Sequence, residues 1–239
     1  GIAYHLAKYH GITNVAVLEK NYLGSGNTAR NTAVIRSNYL TEEGVTFYRE
    51  SVKLWQDLSN EFNYNVMMES RGQLTLAHSD AAIRSFRWRA EVNQHMGVRS
   101  ELIDRQQIAE MVPNLNMSED SRFPIMGGLW LADGATARHD AVAWGYARAA
   151  DMLGVDIIQK CEVTGFVRDG AAVVGVETTR GRIGAGRVGI CVAGNSGHVA
   201  GLAGLQLPIE SQTLQAMVTE GVKPMINSVI MSQSLHCYI

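Results

Sequence analysis

Three places along the chain carry residue types whose order suits the binding of a large, phosphate-bearing ligand. The first is Glu19, which closes the apolar run Val15-Ala16-Val17-Leu18. A carboxylate at the end of the second strand of a βαβ unit offers two acceptor oxygens, and the diol of an adenosine ribose offers two donors. Its plainer reading is a surface carboxylate paired with Lys20. The second is Leu23-Gly24-Ser25-Gly26-Asn27-Thr28-Ala29-Arg30-Asn31-Thr32. Glycine there permits close backbone approach, Ser, Asn and Thr supply neutral donors, and Arg30 supplies charge, a mixture suited to anions. The same composition also makes an ordinary turn-rich loop. The third is Ala193-Gly194, which ends the run Val188-Gly189-Ile190-Cys191-Val192. Small residues at that point let a flat ligand approach the backbone.

Those residues need elements to hold them. Residues 1–9 read as a helix stopped at His10-Gly11, because glycine relieves the left-handed position after a helix end. Val15 to Glu19 reads as a parallel strand buried on both faces. Helix, glycine turn, strand and terminal acid make the second half of a βαβ unit. Its first strand and Gly-rich turn would precede Gly1, so the chain reads as an internal segment, truncated at both ends. Further on, Val45, Tyr48, Val52, Trp55 and Leu58 form one apolar face of a helix over residues 42–60. Gly72 to His78 alternates as a strand. Residues 80–96 read as a helix with Ser79 or Asp80 as cap and Gly97 beyond its end. Residues 104–113 read as a short helix stopped by Pro113, and Gly127 to Leu131 as a strand before the Asp133-Gly134 turn. Residues 140–153 read as an amphipathic helix with Asp140 as cap. Val155 to Ile158 and Glu162 to Val167 read as strands, and Ala171 to Ala185 as a hairpin turning at Thr179-Arg180-Gly181. Val188 to Gly194 reads as a second buried strand.

This order predicts an α/β chain with an α+β second domain. A Rossmann-like dinucleotide domain is expected over residues 1–70 and 130–205. It is interrupted by a mixed or antiparallel-sheet substrate domain over residues 71–129 and 206–239.

Composition excludes other classes. Of 239 residues 46% are hydrophobic and the formal net charge is -2, which is too apolar and too weakly charged for a disordered chain. The same weak charge gives no basic footprint for nucleic acid. No apolar run reaches the roughly 18 residues of a membrane span. Cys161, Cys191 and Cys237 are odd in number and far apart. That spacing argues against a disulfide framework or a thiolate metal site and points to a reducing, cytoplasmic setting. The seven histidines show no metal-ligand spacing.

Longer stretches carry a resemblance. Val17-Leu18-Glu19-Lys20, residues 24–39, residues 133–150, residues 154–164 and residues 188–197 resemble the glycine/D-amino-acid oxidase (DAO) superfamily of FAD enzymes. Within it, Ala29-Arg30-Asn31-Thr32-Ala33-Val34-Ile35-Arg36-Ser37-Asn38-Tyr39-Leu40 and Ala137-Arg138-His139-Asp140-Ala141-Val142-Ala143-Trp144 are most similar to the branch formed by beta subunits of heterotetrameric sarcosine oxidases. The resemblance spans essentially the whole chain.

It implies a set of roles. Glu19 would bind the adenosine ribose of FAD. Asn27, Thr28, Asn31 and Thr32 would lie along its phosphates and isoalloxazine. The backbone of Val163 would contact the adenine, and Ala193 and Gly194 would flank the cofactor. Arg36 matches a position that binds the substrate carboxylate in single-chain relatives, a task a guanidinium performs through two parallel hydrogen bonds. His139 matches a histidine that carries FMN covalently; its plainer reading is a residue that merely precedes a helix cap. The implied reaction is oxidation of a secondary N-methyl amino acid, sarcosine above all, to glycine and a one-carbon unit. Electrons would pass from FAD to FMN to oxygen, giving hydrogen peroxide, with sister subunits completing a heterotetramer. Two other readings remain open. One is a single-flavin oxidase or dehydrogenase of another amine, such as dimethylglycine or proline. The other is a non-catalytic flavoprotein assembly subunit.

Overall fold

The computed structural model describes residues 1–239. The first half runs α1 (Ile2–His10), β1 (Ala16–Leu18), a 3-10 turn (Asn27–Arg30), β2 (Val34–Ile35), α2 (Glu42–Phe62), β3 (Glu69–Ser70), β4 (Gln73–Ala77), α3 (Asp80–His95) and β5 (Ser100–Ile103). Then come α4 (Arg105–Met111), β6 (Gly127–Leu131), β7 (Ala135–Thr136), α5 (His139–Asp151), β8 (Asp156–Ile158), β9 (Val163–Asp169), β10 (Ala172–Thr178) and β11 (Gly181–Gly184). A 3-10 turn (Ala193–Asn195), α6 (Ser196–Leu202), β12 (Val229–Ser232) and β13 (Cys237–Tyr238) complete the chain. No helix is long and apolar enough to cross a membrane.

The elements gather into two units. One comprises Gly1–Asn31 with His139–Met217, the other Thr32–Arg138 with Val218–Ile239. These crossings fall at 31/32, 138/139 and 217/218, where the sequence reading set them at 70/71, 129/130 and 205/206. The largest difference concerns residues 32–70, and its cause is packing. Val45 of α2 is fully buried in a cluster with Val98 and Leu131, and β2 and β3 both pair with β7. Those partners all belong to the second unit.

In the first unit, α1 ends as its sequence predicts. Gly11 adopts φ 63°, and its N–H donates to the Ala7 carbonyl at 3.2 Å. α1 meets α5 through an edge-on contact between Tyr4 and Tyr146, ring centroids 5.8 Å apart. β1 and β8 pair in parallel, with Val17 opposite Ile157. β9, β10 and β11 form an antiparallel sheet in the order β11-β10-β9. A side chain at Gly175 would stand 2.4 Å from the Ile183 carbonyl, so this close strand contact demands glycine. The expected strand over Val188 to Gly194 is not formed. Residues 188–192 are irregular, Val188 and Val192 are exposed, and Ala193 to Asn195 makes a 3-10 turn. An apolar run becomes a strand only when a neighbour supplies its ladder, and β1 pairs with β8 alone.

The second unit is built on a mixed five-stranded sheet, order β13-β12-β4-β6-β5, in which only β12 and β4 run parallel. All five residues of β4 are buried, and their alternation divides the unit. Leu74 and Leu76 pack with Ile108 and Val112 of the α4 region, Ile103, Ile125 and Ile230. Ala77 points to the opposite side, where Leu129 meets Phe86 and Ala90 of α3. Local signals set the helix starts. Ser79 accepts the Ala82 N–H at 3.2 Å, and Asp104 with Gln107 makes a reciprocal capping box at α4. α5 begins one residue before its expected cap: His139 is already helical, and Asp140 sits in the first turn with Oδ1 accepting the Ala141 N–H.

Candidate functional site

The first unit assembles a polar corner at the carboxyl end of β1. Glu19 is half-buried there. Its Oε1 accepts the Asn21 N–H at 2.8 Å and the Ser25 hydroxyl at 3.3 Å, while Oε2 takes no hydrogen bond from the chain. The plainer alternative, a pairing with Lys20, does not form: Lys20 reaches Glu162 instead at 2.7 Å. The Glu19 carbonyl accepts the Cys161 N–H at 2.9 Å, two residues before β9 begins at Val163. Ser25, which helps hold the carboxylate, is itself buried. It was visible in the sequence only as one polar residue among several in the loop.

The loop that follows contains a turn of 3-10 helix, Asn27–Arg30. Asn27, Thr28, Asn31 and Thr32 are all exposed. They do not contribute alike: the Asn31 amide donates to the carbonyls of Asn27 and Thr28 and so ties the turn together. A Cβ placed on Gly194 would lie 3.8 Å from the Asn27 side chain, so the fold brings this loop and the 193–194 turn together. Ala193 holds φ 45°, an uncommon backbone for a residue with a side chain, and Ser211 donates to the Gly194 carbonyl at 2.6 Å. The side chain of His139 is a third exposed. Its Nδ1 is buried without a hydrogen-bond partner, 4.0 Å from Asp140 Oδ1.

The second unit holds a separate groove of about 360 Å³. The face of the sheet supplies Thr75 and Met231, adjacent across the β4–β12 ladder. Arg36 and Tyr39 come from the segment after β2, and Arg89 comes from α3. Arg36 lies over the Tyr39 ring at 4.7 Å, and Tyr39 stacks on Tyr48 with centroids 3.9 Å apart. Burial raises the Tyr39 phenol above its ordinary value, an effect the Arg36 charge partly opposes. Neither Arg36 nor Arg89 has a carboxylate within ion-pair distance. Burial first, and the Arg36 charge second, pull the Arg89 guanidinium down to about 10. An open groove with two cations and no anion is chemically suited to a carboxylate. The family resemblance pointed to Arg36, and nothing in the sequence reading pointed to Arg89. A signal for Arg89 existed: Phe86, Arg89, Ala90 and Asn93 occupy i, i+3, i+4 and i+7, so an arginine and an asparagine sit in the buried stripe of α3.

Comparison with known proteins places the chain in a family. The chain is 54% identical over 237 residues to the sarcosine oxidase subunit beta of Rhizobium meliloti (strain 1021), covering 99% of this chain and 57% of that protein. It is 49% identical to the sarcosine oxidase subunit beta of Arthrobacter sp, covering 99% and 58%. The chain thus spans less than two thirds of the length of these relatives. Among solved structures, L-proline dehydrogenase from P.horikoshii superposes with a TM-score of 0.81 at 25% identity, over 99% of this chain and 62% of that one. Glycine oxidase from Geobacillus kaustophilus shares the fold, with a TM-score of 0.79 at 18% identity over 99% of this chain and 63% of that one. A family model described as DAO, FAD dependent oxidoreductase, matches residues 1–239, and the chain belongs to that family.

Proposed function

We propose that the chain is the part of a sarcosine oxidase beta subunit that holds FAD and receives the substrate carboxylate. The residues present fit the dinucleotide. Glu19 has one carboxylate oxygen without an intramolecular donor, in line with a ribose diol as its partner. Gly194 has open space on its Cβ side, with nothing nearer than 3.8 Å, and the exposed side chains of Asn27, Thr28 and Thr32 offer donors to phosphate oxygens. Val163 follows two residues after Cys161, whose N–H donates to the Glu19 carbonyl, a placement that suits the adenine end. Asn31 shapes the loop, and Ala193 bends the chain where the cofactor approaches. FAD, when bound, supplies the acceptor for the electron pair removed from the substrate.

The chain's own residues bind and orient. Arg36 takes the carboxylate of an N-methyl amino acid, and Tyr39, stacked between Arg36 and Tyr48, fixes the guanidinium plane. Holding the carboxylate limits how the N-methyl group can be presented, which is the entropic part of catalysis. Loss of a hydride equivalent from the methyl carbon of sarcosine leaves an imine. Water adds to it, and cleavage gives glycine and formaldehyde, while oxygen takes the two electrons and two protons to become hydrogen peroxide. His139 is assigned as the attachment point for FMN, since its Nδ1 makes no hydrogen bond. Sister subunits complete the assembly, and three free cysteines suit a reducing, cytoplasmic compartment.

The observation that carries this reading is the uncompensated cationic groove at Arg36. Steady-state oxygen consumption by the assembled holoenzyme, measured with sarcosine, dimethylglycine, proline and a carboxylate-free methylamine, tests it. Sarcosine should give the highest kcat/KM and the carboxylate-free amine the lowest. Rapid turnover of proline or dimethylglycine with negligible turnover of sarcosine would overturn the substrate assignment. No turnover of any amine would favour the assembly-subunit reading.

A further inference from the structure

The groove holds a second cation whose cost the fold has not offset. Arg89 is only 7% exposed. Its Nε donates to the Asn38 carbonyl at 2.7 Å, and its Nη2 donates to the same oxygen. A guanidinium carries five donors and a full charge, and burying one without a carboxylate is expensive. Here the like charge of Arg36 adds to that cost.

The contacts around Arg89 converge on the segment that presents Arg36. Asn38 is fully buried, and its Oδ1 accepts Arg36 Nη1 at 3.5 Å. The Asn38 amide nitrogen is buried with no acceptor. One turn along α3, Asn93 donates to the Tyr39 carbonyl at 2.9 Å and to the Arg89 carbonyl at 2.8 Å. Two polar residues in the buried stripe of α3 therefore grip consecutive carbonyls, at 38 and 39. The segment they grip carries the Arg36 guanidinium, the Asn38 oxygen it touches and the Tyr39 ring beneath it.

We propose that Arg89 is a positioning and specificity residue for carboxylate binding: it clamps Asn38 so that Arg36 keeps its place in the groove, and its charge makes the groove a two-cation site. The proposal rests on the reading of Arg36 as the carboxylate ligand. A bound carboxylate supplies the counter-charge that both guanidinia lack, so the groove favours amines that carry one and rejects amines that do not.

Calorimetric titration of acetate into the assembled holoenzyme, as wild type, R36M, R89M and R89K, tests this apart from turnover. R36M should lose acetate binding. R89M should weaken it by about tenfold, the scale of losing one charge-assisted interaction. R89M should also raise KM for sarcosine in proportion while kcat stays within about twofold, a split that a general loss of structure would not give. R89K keeps the charge and loses the fork, so its acetate affinity should fall between those of wild type and R89M. Wild-type affinity in R89M, with binding lost in R36M, would overturn the role of Arg89. Wild-type affinity in R89K would overturn the clamp even if R89M fails to fold. Undiminished binding in R36M would instead overturn the reading of the groove on which the proposal rests.

Discussion

Replacing Glu19 with glutamine tests the cofactor corner with little change of shape. The native carboxylate uses Oε1 for two internal contacts, from the Asn21 N–H at 2.8 Å and from the Ser25 hydroxyl at 3.3 Å. Oε2 accepts nothing from the chain. A glutamine can keep its carbonyl oxygen toward Asn21 and Ser25 and set its NH2 where Oε2 stood. The internal contacts then survive, and the outward acceptor becomes a donor facing the donors of a ribose. A hydrogen bond to a charged group contributes about 1.5–3 kcal/mol, and every 1.4 kcal/mol is tenfold in affinity. Glu19→Gln should therefore weaken FAD binding by roughly 10- to 150-fold. Because one oxygen still serves the loop, the melting temperature of the cofactor-free protein should fall by no more than a few degrees. Fluorescence quenching on titration of FAD into deflavinated protein gives the first quantity, and calorimetry gives the second. Unchanged FAD affinity would refute the assignment of Glu19. A large loss of stability in the cofactor-free protein would instead show that the carboxylate serves mainly to hold its own loop.

Other residues give sharper yes-or-no outcomes. His139→Ala should yield a proteolytic peptide without flavin mass while FAD is retained, and covalent FMN in that variant would remove the attachment assignment. Arg36→Met should lower kcat/KM for sarcosine by about 10- to 150-fold, chiefly through KM, and an unchanged KM would count against carboxylate binding. Gly72→Ala should destabilise the second unit by at least about 2 kcal/mol. Gly72 holds φ 81°, and a built Cβ would lie 1.9 Å from the Trp130 ring; a melting temperature equal to the parent's would contradict that packing.

Much of this architecture was legible because its causes are local. Gly11 ends α1, Ser79 caps α3, and Val45, Val52 and Leu58 of the expected α2 face are buried, although Tyr48 of that face is exposed and Trp55 only half-buried. What escaped the sequence depends on partners distant along the chain. Val188 to Val192 has the composition of a buried strand, yet no neighbouring strand pairs with it, so the pattern alone misleads. β12 is identified by its parallel pairing with β4, more than 150 residues earlier, and not by any local alternation. The two-residue strands β2, β3 and β7 are too short to carry a period, and they draw residues 32–70 into the second unit. At the candidate site, residue type and position singled out Glu19 and Gly194, and the family resemblance singled out Arg36. The Asn31 amide is spent on its own turn, and Arg89 lay hidden inside a helical stripe where an apolar residue would ordinarily stand.

The most direct test of the proposed chemistry is anaerobic mixing of sarcosine with the assembled holoenzyme, followed by flavin absorbance in a stopped-flow instrument. Rapid bleaching of the oxidised-flavin absorbance is expected, with one glycine and one formaldehyde formed per electron pair taken up. A flavin that stays oxidised under saturating sarcosine, in an enzyme shown to hold its cofactor, would contradict it.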